Sequence, residues 1–321
     1  MELARFVRSG AAAGVVLFAR NIAGTAEVAE LIRELRALWP AGGPPPLVAV
    51  DQEGGLVQRL KPPRCPEFTA LPPMREAARM GPDGLRRLGA GVGRQLAAVG
   101  FNLDFAPVLD VDTNPDNPII GARAFGATPE EVVAHGLAFA EGLADAGVLS
   151  CAKHFPGHGD TDVDSHLALP TLRHDLARLE AVELAPFAAA VAHGLPLVMT
   201  AHIVYAALDA ELPATLSPRV VPELLRAALG YDDAVVTDDL EMKAIADGFG
   251  VEAVARGVVA ADVDLLLVCR EVGLAEDLAG ALAHVSDPAH EARAASRIAR
   301  LRARATDHAA SAPREVPPLL V

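Results

Sequence analysis

The chain has 321 residues, 51% of them hydrophobic but only 4% aromatic, with a formal charge of −14. That apolar content excludes a disordered chain and supplies a large core built from Ala, Leu and Val. The acidic excess, with no basic run, argues against a nucleic-acid partner, and no stretch reaches the ~18 apolar residues of a membrane span.

The first residues, MELARFVRSGAAAGVV, carry charges that interrupt any apolar core, unlike a signal peptide. The first strand candidate is GVVLF (14–18). Residues 25–38 then set Val28, Leu31, Ile32, Leu35 and Leu38 on one helical face. Strand candidates LVAVD (47–51) and NLDFAPVLD (102–110) follow. TPEEVVAHGLAFAEGLADAG is a well-signalled helix. Thr128 caps it, Pro129 suits its first turn, Glu131 completes a capping box and Gly147 ends it. VLSCAKH (148–154), LVMTAH (197–202), AVVTD (234–238) and DLLLV (264–268) complete the strands. Near-continuous apolar runs of this kind suit strands buried on both faces. Their alternation with helices over this length predicts an α/β chain folded as one (β/α)8 TIM-type barrel over 1–305, with a loosely packed C-terminal tail at 306–321. Cys65, Cys151 and Cys269 are odd in number and lack CxxC spacing, which suits buried thiols in a reducing, cytoplasmic setting.

Five successive strands end on an ionisable residue: Asp51, Asp110, Lys153 with His154, His202 and Asp238. In a β/α barrel those ends converge on one face, where active sites are built. A single polar strand end simply meets solvent; five in a row are poorly explained that way. Lysine sharpens the point, because the chain has only Lys61, Lys153 and Lys243.

The stretch KHFPGHGDTDVDSH (153–166) concentrates three histidines and three aspartates. A metal site is one reading, but Pro156, Gly157 and Gly159 break the helix that zinc-binding His pairs prefer. Counted from Asp160, the EF-hand Gly and Glu also fall out of place. A phosphate cradle lacks the Gly-Lys-Thr ending of a P-loop. Acid/base chemistry fits better. Asp164 beside His166 can fix the imidazole tautomer and favour its protonated form, and Gly157 and Gly159 are expected to let the loop move. Such a dyad needs a partner, and TDDLEM (237–242) offers Asp238 at a strand end, with Asp239 suited to capping or hydroxyl binding. A carboxylate nucleophile and a separate proton donor ~5 Å away is the arrangement of retaining glycosidases. Asp51 and Arg59 in DQEGGLVQR, and Arg123 in NPIIGARAFG, could hold vicinal sugar hydroxyls.

Together, GVVLFARN, AVDQEGGLVQRL, NLDFAPVLDV, NPIIGARAFG, AKHFPGHGDTDVDSHLALP, LVMTAHIVY, PATLS and VVTDDLEMKAI resemble glycoside hydrolase family 3, specifically its NagZ-type β-N-acetylglucosaminidases. The resemblance runs from about Gly14 to Val268. It implies Asp238 as nucleophile, His166 as acid/base and Asp164 as its partner. It also implies sugar contacts from Asp51, Arg59, Arg123, Lys153 and His154; His202, at the end of LVMTAH, joins that set by position. The implied reaction is cofactor-free and metal-free removal of terminal β-linked N-acetylglucosamine with retention, typically from muropeptides. Two departures stand out. The family's strand and helix before GVVLF are missing, leaving seven strand candidates where such a barrel wants eight, and Ala122 replaces a commonly polar residue beside Arg123. Other readings are a glucosidase or xylosidase, a phosphorylase of the same family, a metal-dependent hydrolase, or a non-catalytic sugar-binding protein.

Overall fold

A computed structural model describes residues 2–161, 169–305 and 315–319. Seven parallel strands form the barrel wall. They are β1 (Gly14–Leu17), β2 (Leu47–Val50), β3 (Leu103–Asp104), β4 in two runs (Leu149–Ser150 and Ala152–Phe155), β5 (Leu197–Thr200), β6 (Ala234–Asp239) and β7 (Leu265–Leu267). All seven expected strands are present in chain order. β4 is interrupted at Cys151: its first run pairs with β3, and its second pairs with β5 while Cys151 N and Lys153 N still donate to Ala106 O and Pro107 O just past β3. Where the β3 ladder is short, the Asn102 side chain accepts from Val48 N and donates to Pro46 O, stitching β2 to the next strand.

Successive strand residues point to opposite faces, and the apolar runs are filled accordingly. Leu47, Ala49, Leu103, Leu149, Cys151, Leu197, Met199, Ala234 and Val236 pack inside the barrel, joined by Leu301 and Ala305. Val48 and Val50 face outward onto one helical cluster, Val198 and Val235 onto another. The outer layer includes α1 (Glu2–Arg8), α2 (Thr25–Arg36), α3 (Gly81–Val99), α4 (Pro129–Asp145), α5 (Ala185–His193), α6 (Val251–Ala260), α7 (Val272–Val285) and α8 (Pro288–Arg304). The capping box of α4 forms as expected, with Glu131 N donating to Thr128 Oγ1 and Glu131 Oε2 accepting from Thr128 N. α3 and α4 meet almost backbone to backbone: a Cβ on Gly142 would lie 2.1 Å from Arg86 O. Among the described residues no helix is long and apolar enough to cross a membrane.

α8 is fixed beneath the barrel by Arg297, which bonds Asp232, Asp262 and Asp264. With Leu301 and Ala305 filling that end, the opposite end is the one that opens. The tail packs more closely than expected over its described part. Val316 and Leu319 join the outer core, and Gln95 donates to Pro317 O.

The barrel is not closed by hydrogen bonds. Among the described residues β1 pairs only with β2, and β7 only with β6. A groove of about 490 Å³ lies between them, lined on its inner side by Leu47, Leu103, Leu197 and Val236. This groove is the seam between the first and last of the seven strands. Side chains bridge it: Arg5 of α1 pairs with Glu276 of α7 at 2.6 Å, and Arg20 donates to Cys269 O.

Candidate active site

A cavity of about 220 Å³ occupies the open end of the barrel, where the C-terminal ends of the strands meet. Its wall is built largely by residues just past strand ends. After Asp51 the chain turns back in a short hairpin, Gln52–Gly54 against Val57–Gln58. Gly54 and Gly55 take φ of +120° and +56°, and a Cβ on Gly54 would lie 2.6 Å from Pro72 O, so this turn needs glycine. Gln52 locks it by accepting from the Arg59 and Leu60 amides. The outcome is that Asp51, Glu53 and Arg59 all reach the cavity.

They enter one chain of charges. Arg59 donates to Asp51 at 3.1 Å, and Lys153 Nζ lies 3.0 Å from Asp51 and 2.5 Å from Glu53. Arg123 clamps Glu53 with two 2.8 Å bonds. Lys153 and Glu53 are each 2% exposed, so these charges can persist only because each faces its opposite. Burial alone would raise the Glu53 carboxyl, but Arg123 and Lys153 outweigh it and hold it well below the usual carboxylate range. Burial likewise opposes the Lys153 charge, and Asp51 and Glu53 overcome it, holding the ammonium above its usual range.

His154 stands beside this chain. Its Nδ1 is 2.7 Å from Asp110, a carboxylate that can only accept, so Nδ1 carries the proton. Asp110 also accepts the His154 and His158 amides, at 3.2 and 2.7 Å. Burial would raise Asp110, but His154 and His158 reverse this and lower it. His158 lines the cavity with Nδ1 on the Thr161 hydroxyl; burial pushes it down to about 4, so it is neutral at pH 7.

Across the cavity is Asp238, on β6. The Asp239 amide donates to its Oδ1 at 2.7 Å. Burial acts to raise its pKa, yet His154, His202 and that amide together lower it below the usual value. Asp238 is therefore ionised at neutral pH, as an attacking carboxylate must be. Asp239 differs: burial raises its carboxyl, and its Oδ1 accepts from Glu241 N.

The model for the glycosyl hydrolase family 3 N-terminal domain matches residues 1–301. A Beta-hexosaminidase from Bordetella parapertussis is 40% identical over 304 residues, covering 92% of this chain and 83% of the relative. This chain belongs to glycosyl hydrolase family 3. Beta-hexosaminidase A of Pseudoalteromonas piscicida is 36% identical over 83% of this chain, which spans only 47% of that longer protein. Among solved structures, a family 3 β-N-acetylglucosaminidase from Paenibacillus sp. superposes with a TM-score of 0.88 at 38% identity, covering 94% of this chain and 58% of that one.

Of the residues expected from sequence, the family 3 barrel brings Asp51, Arg59, Arg123, Lys153, His154 and Asp238 to one cavity. Ala122 leaves Arg123 firmly held, because Glu53 clamps it. His202 is different. It sits behind the cavity wall, with Nδ1 on Thr215 Oγ1 and Nε2 on Asp239 O, so neither ring nitrogen is presented to a ligand. Asp164 and His166 lie outside the described residues. The expected hinge role of Gly157 and Gly159 needs correction. Both are buried, a Cβ on Gly159 would lie 1.8 Å from Val111 O, and Tyr205 donates to Gly157 O. These glycines admit close packing and do not loosen the chain. Among the described residues no group of three His, Cys, Asp or Glu side chains is placed to hold a metal.

Glu53 was not singled out by sequence reasoning, which looked for charges at strand ends. The available signal was an acidic residue immediately before the paired glycines that reverse the chain.

Proposed function

We propose that this chain is a retaining β-N-acetylhexosaminidase that removes terminal, non-reducing β-linked N-acetylglucosamine. The observation that carries the reading is an ionised Asp238 facing a buried clamp of alternating carboxylates and cations within one sugar-sized cavity. The names of the Bordetella and Paenibacillus relatives support the sugar assignment.

In this mechanism Asp51, Arg59, Lys153 and His154 hold the sugar hydroxyls, which need both donors and acceptors. Arg123 adds a guanidinium at the same wall. Asp238 attacks the anomeric carbon as the bond to the leaving oxygen breaks, and His166, paired with Asp164, gives that oxygen its proton. Water then attacks the same carbon, passing a proton to His166 and releasing Asp238. Two inversions give net retention. Cell-wall muropeptides in the cytoplasm are the proposed natural setting, an extension that rests on the resemblance.

Asp238→Ala should lower turnover of a chromogenic β-N-acetylglucosaminide by at least about 10³-fold, the scale of losing a covalent catalyst. A slowly turned-over N-acetylglucosaminide should leave a glycosyl adduct that mass spectrometry maps to Asp238. Undiminished activity in the variant, or an adduct elsewhere, sinks the assignment. Release of free sugar and not sugar 1-phosphate in phosphate buffer separates hydrolysis from phosphorolysis.

A further inference from the structure

The inner cavity wall is occupied by the sugar clamp, and against two of its lining residues, Phe18 and Cys269, lies a cation the mechanism does not use, Arg20, which itself lines the adjoining seam groove. Phe18, just past β1, lines the cavity, and two guanidinium groups lie against its ring. Arg20 is 4.5 Å from the ring centroid and Arg59 is 5.5 Å. Their partners differ. Arg59 is paired with Asp51, whereas Arg20 donates to the main-chain carbonyl of Cys269 and, among the described residues, has no carboxylate partner. The neighbouring acid, Glu241, accepts instead from the Cys269, Arg270 and Glu271 amides. A third guanidinium, Arg64, donates to Ala19 O at 2.6 Å and adds positive potential to the same turn.

A carbonyl accepts only part of what a guanidinium offers, so most of the five Arg20 N–H groups stay available. Stacking on Phe18 limits the rotamer freedom that a surface arginine would otherwise lose on binding. In a chain of charge −14, an exposed cation with no acid partner among the described residues, stacked on a residue that lines the cavity, is a local centre of positive potential.

We infer that Arg20, held on Phe18, is a specificity-determining residue that recognises a carboxylate on the leaving-group side of the substrate. This rests on the glycosidase reading above. The sugar occupies the deep clamp, so the leaving group must extend past the rim.

The test uses two β-N-acetylglucosaminides of one hydroxy acid, one with a free carboxylate and one with the isosteric carboxamide, followed by release of N-acetylglucosamine. The wild-type chain should prefer the carboxylate by about two- to five-fold in kcat/KM, the scale of an exposed ion pair, mainly through KM. That preference should shrink between 50 and 500 mM salt. Arg20→Gln should abolish it, and Arg20→Lys should keep part of it. Arg20 also ties the end of β1 to the segment after β7, and a purely structural role would lower both rates by one factor and leave the ratio unchanged. An unchanged ratio in Arg20→Gln, or no preference in the wild-type chain, overturns the proposal. Failure of the wild-type chain to cleave either compound overturns the glycosidase reading itself.

Discussion

Glu53 shows how much one buried side chain can organise. It is the common counter-ion of Arg123 and Lys153; without it Lys153 would keep only Asp51, and Arg123 would have no carboxylate partner among the described residues. Glu53→Gln should therefore lower stability by about 3–5 kcal/mol, measured by denaturant unfolding, and raise KM by at least tenfold as both cations lose their aim. Two other groups set opposite pH trends. His158 is neutral down to about pH 4, whereas the unfolded chain takes up its proton near 6.5. The unfolded state thus binds more protons across pH 6.5 to 4, and stability falls as pH drops through that window. Asp104 runs the other way. Burial pushes its carboxyl up to about 8, and among the described residues its Oδ2 has no hydrogen-bond partner. The unfolded carboxyl ionises near 4, so stability is lost as pH rises from about 4 to 8. Asp104→Asn should change Tm little at pH 5 and raise it relative to wild type at pH 9. An equal effect at both pH values would show that ionisation of Asp104 is not the cause.

At the scale of elements, what the sequence shows depends on whether the signal is local. The strands were legible because runs such as LVAVD and AVVTD are apolar on both faces, and α4 because its capping box is written in adjacent residues. The break of β4 into two short runs was not legible, since nothing local to Cys151 marks it. Nor was the meaning of Gly157 and Gly159. A glycine that permits motion and one that permits contact look alike in sequence, and only the Val111 carbonyl against Gly159 tells them apart. The hairpin after β2 is the element on which the clamp depends. Gly54→Ala would place a Cβ against Pro72 O at a left-handed φ. It should lower kcat/KM by at least tenfold by displacing Glu53 and Arg59, with a loss of about 1–3 kcal/mol in stability. A crystal structure of an active variant with the hairpin unmoved would refute this dependence.

For the whole molecule, the open seam sets the order of local stability. Among the described residues β1 and β7 each lack a strand partner on the side facing the groove, whereas β2 and β6 are flanked on both sides. Opening an edge strand breaks fewer ladder bonds and exposes less core. Hydrogen exchange should therefore be faster in β1 and β7 than in β2 and β6 by at least about tenfold. Equal protection across the four strands would show that another contact closes the seam.

The sequence by itself determined the chain order of seven strands buried on both faces, the helices between them and most of the charged residues at the mouth. These follow from periodicity, count and position along single strands. Only the tertiary structure decided how those charges pair. Glu53 joins Arg123 to Lys153 across 70 and 100 residues of chain, His202 turns away to Thr215, and Arg20 lies on Phe18 with no acid beside it among the described residues. Pairing of this kind is set by which strand ends meet when the barrel curls, and by which charges burial can tolerate only in company.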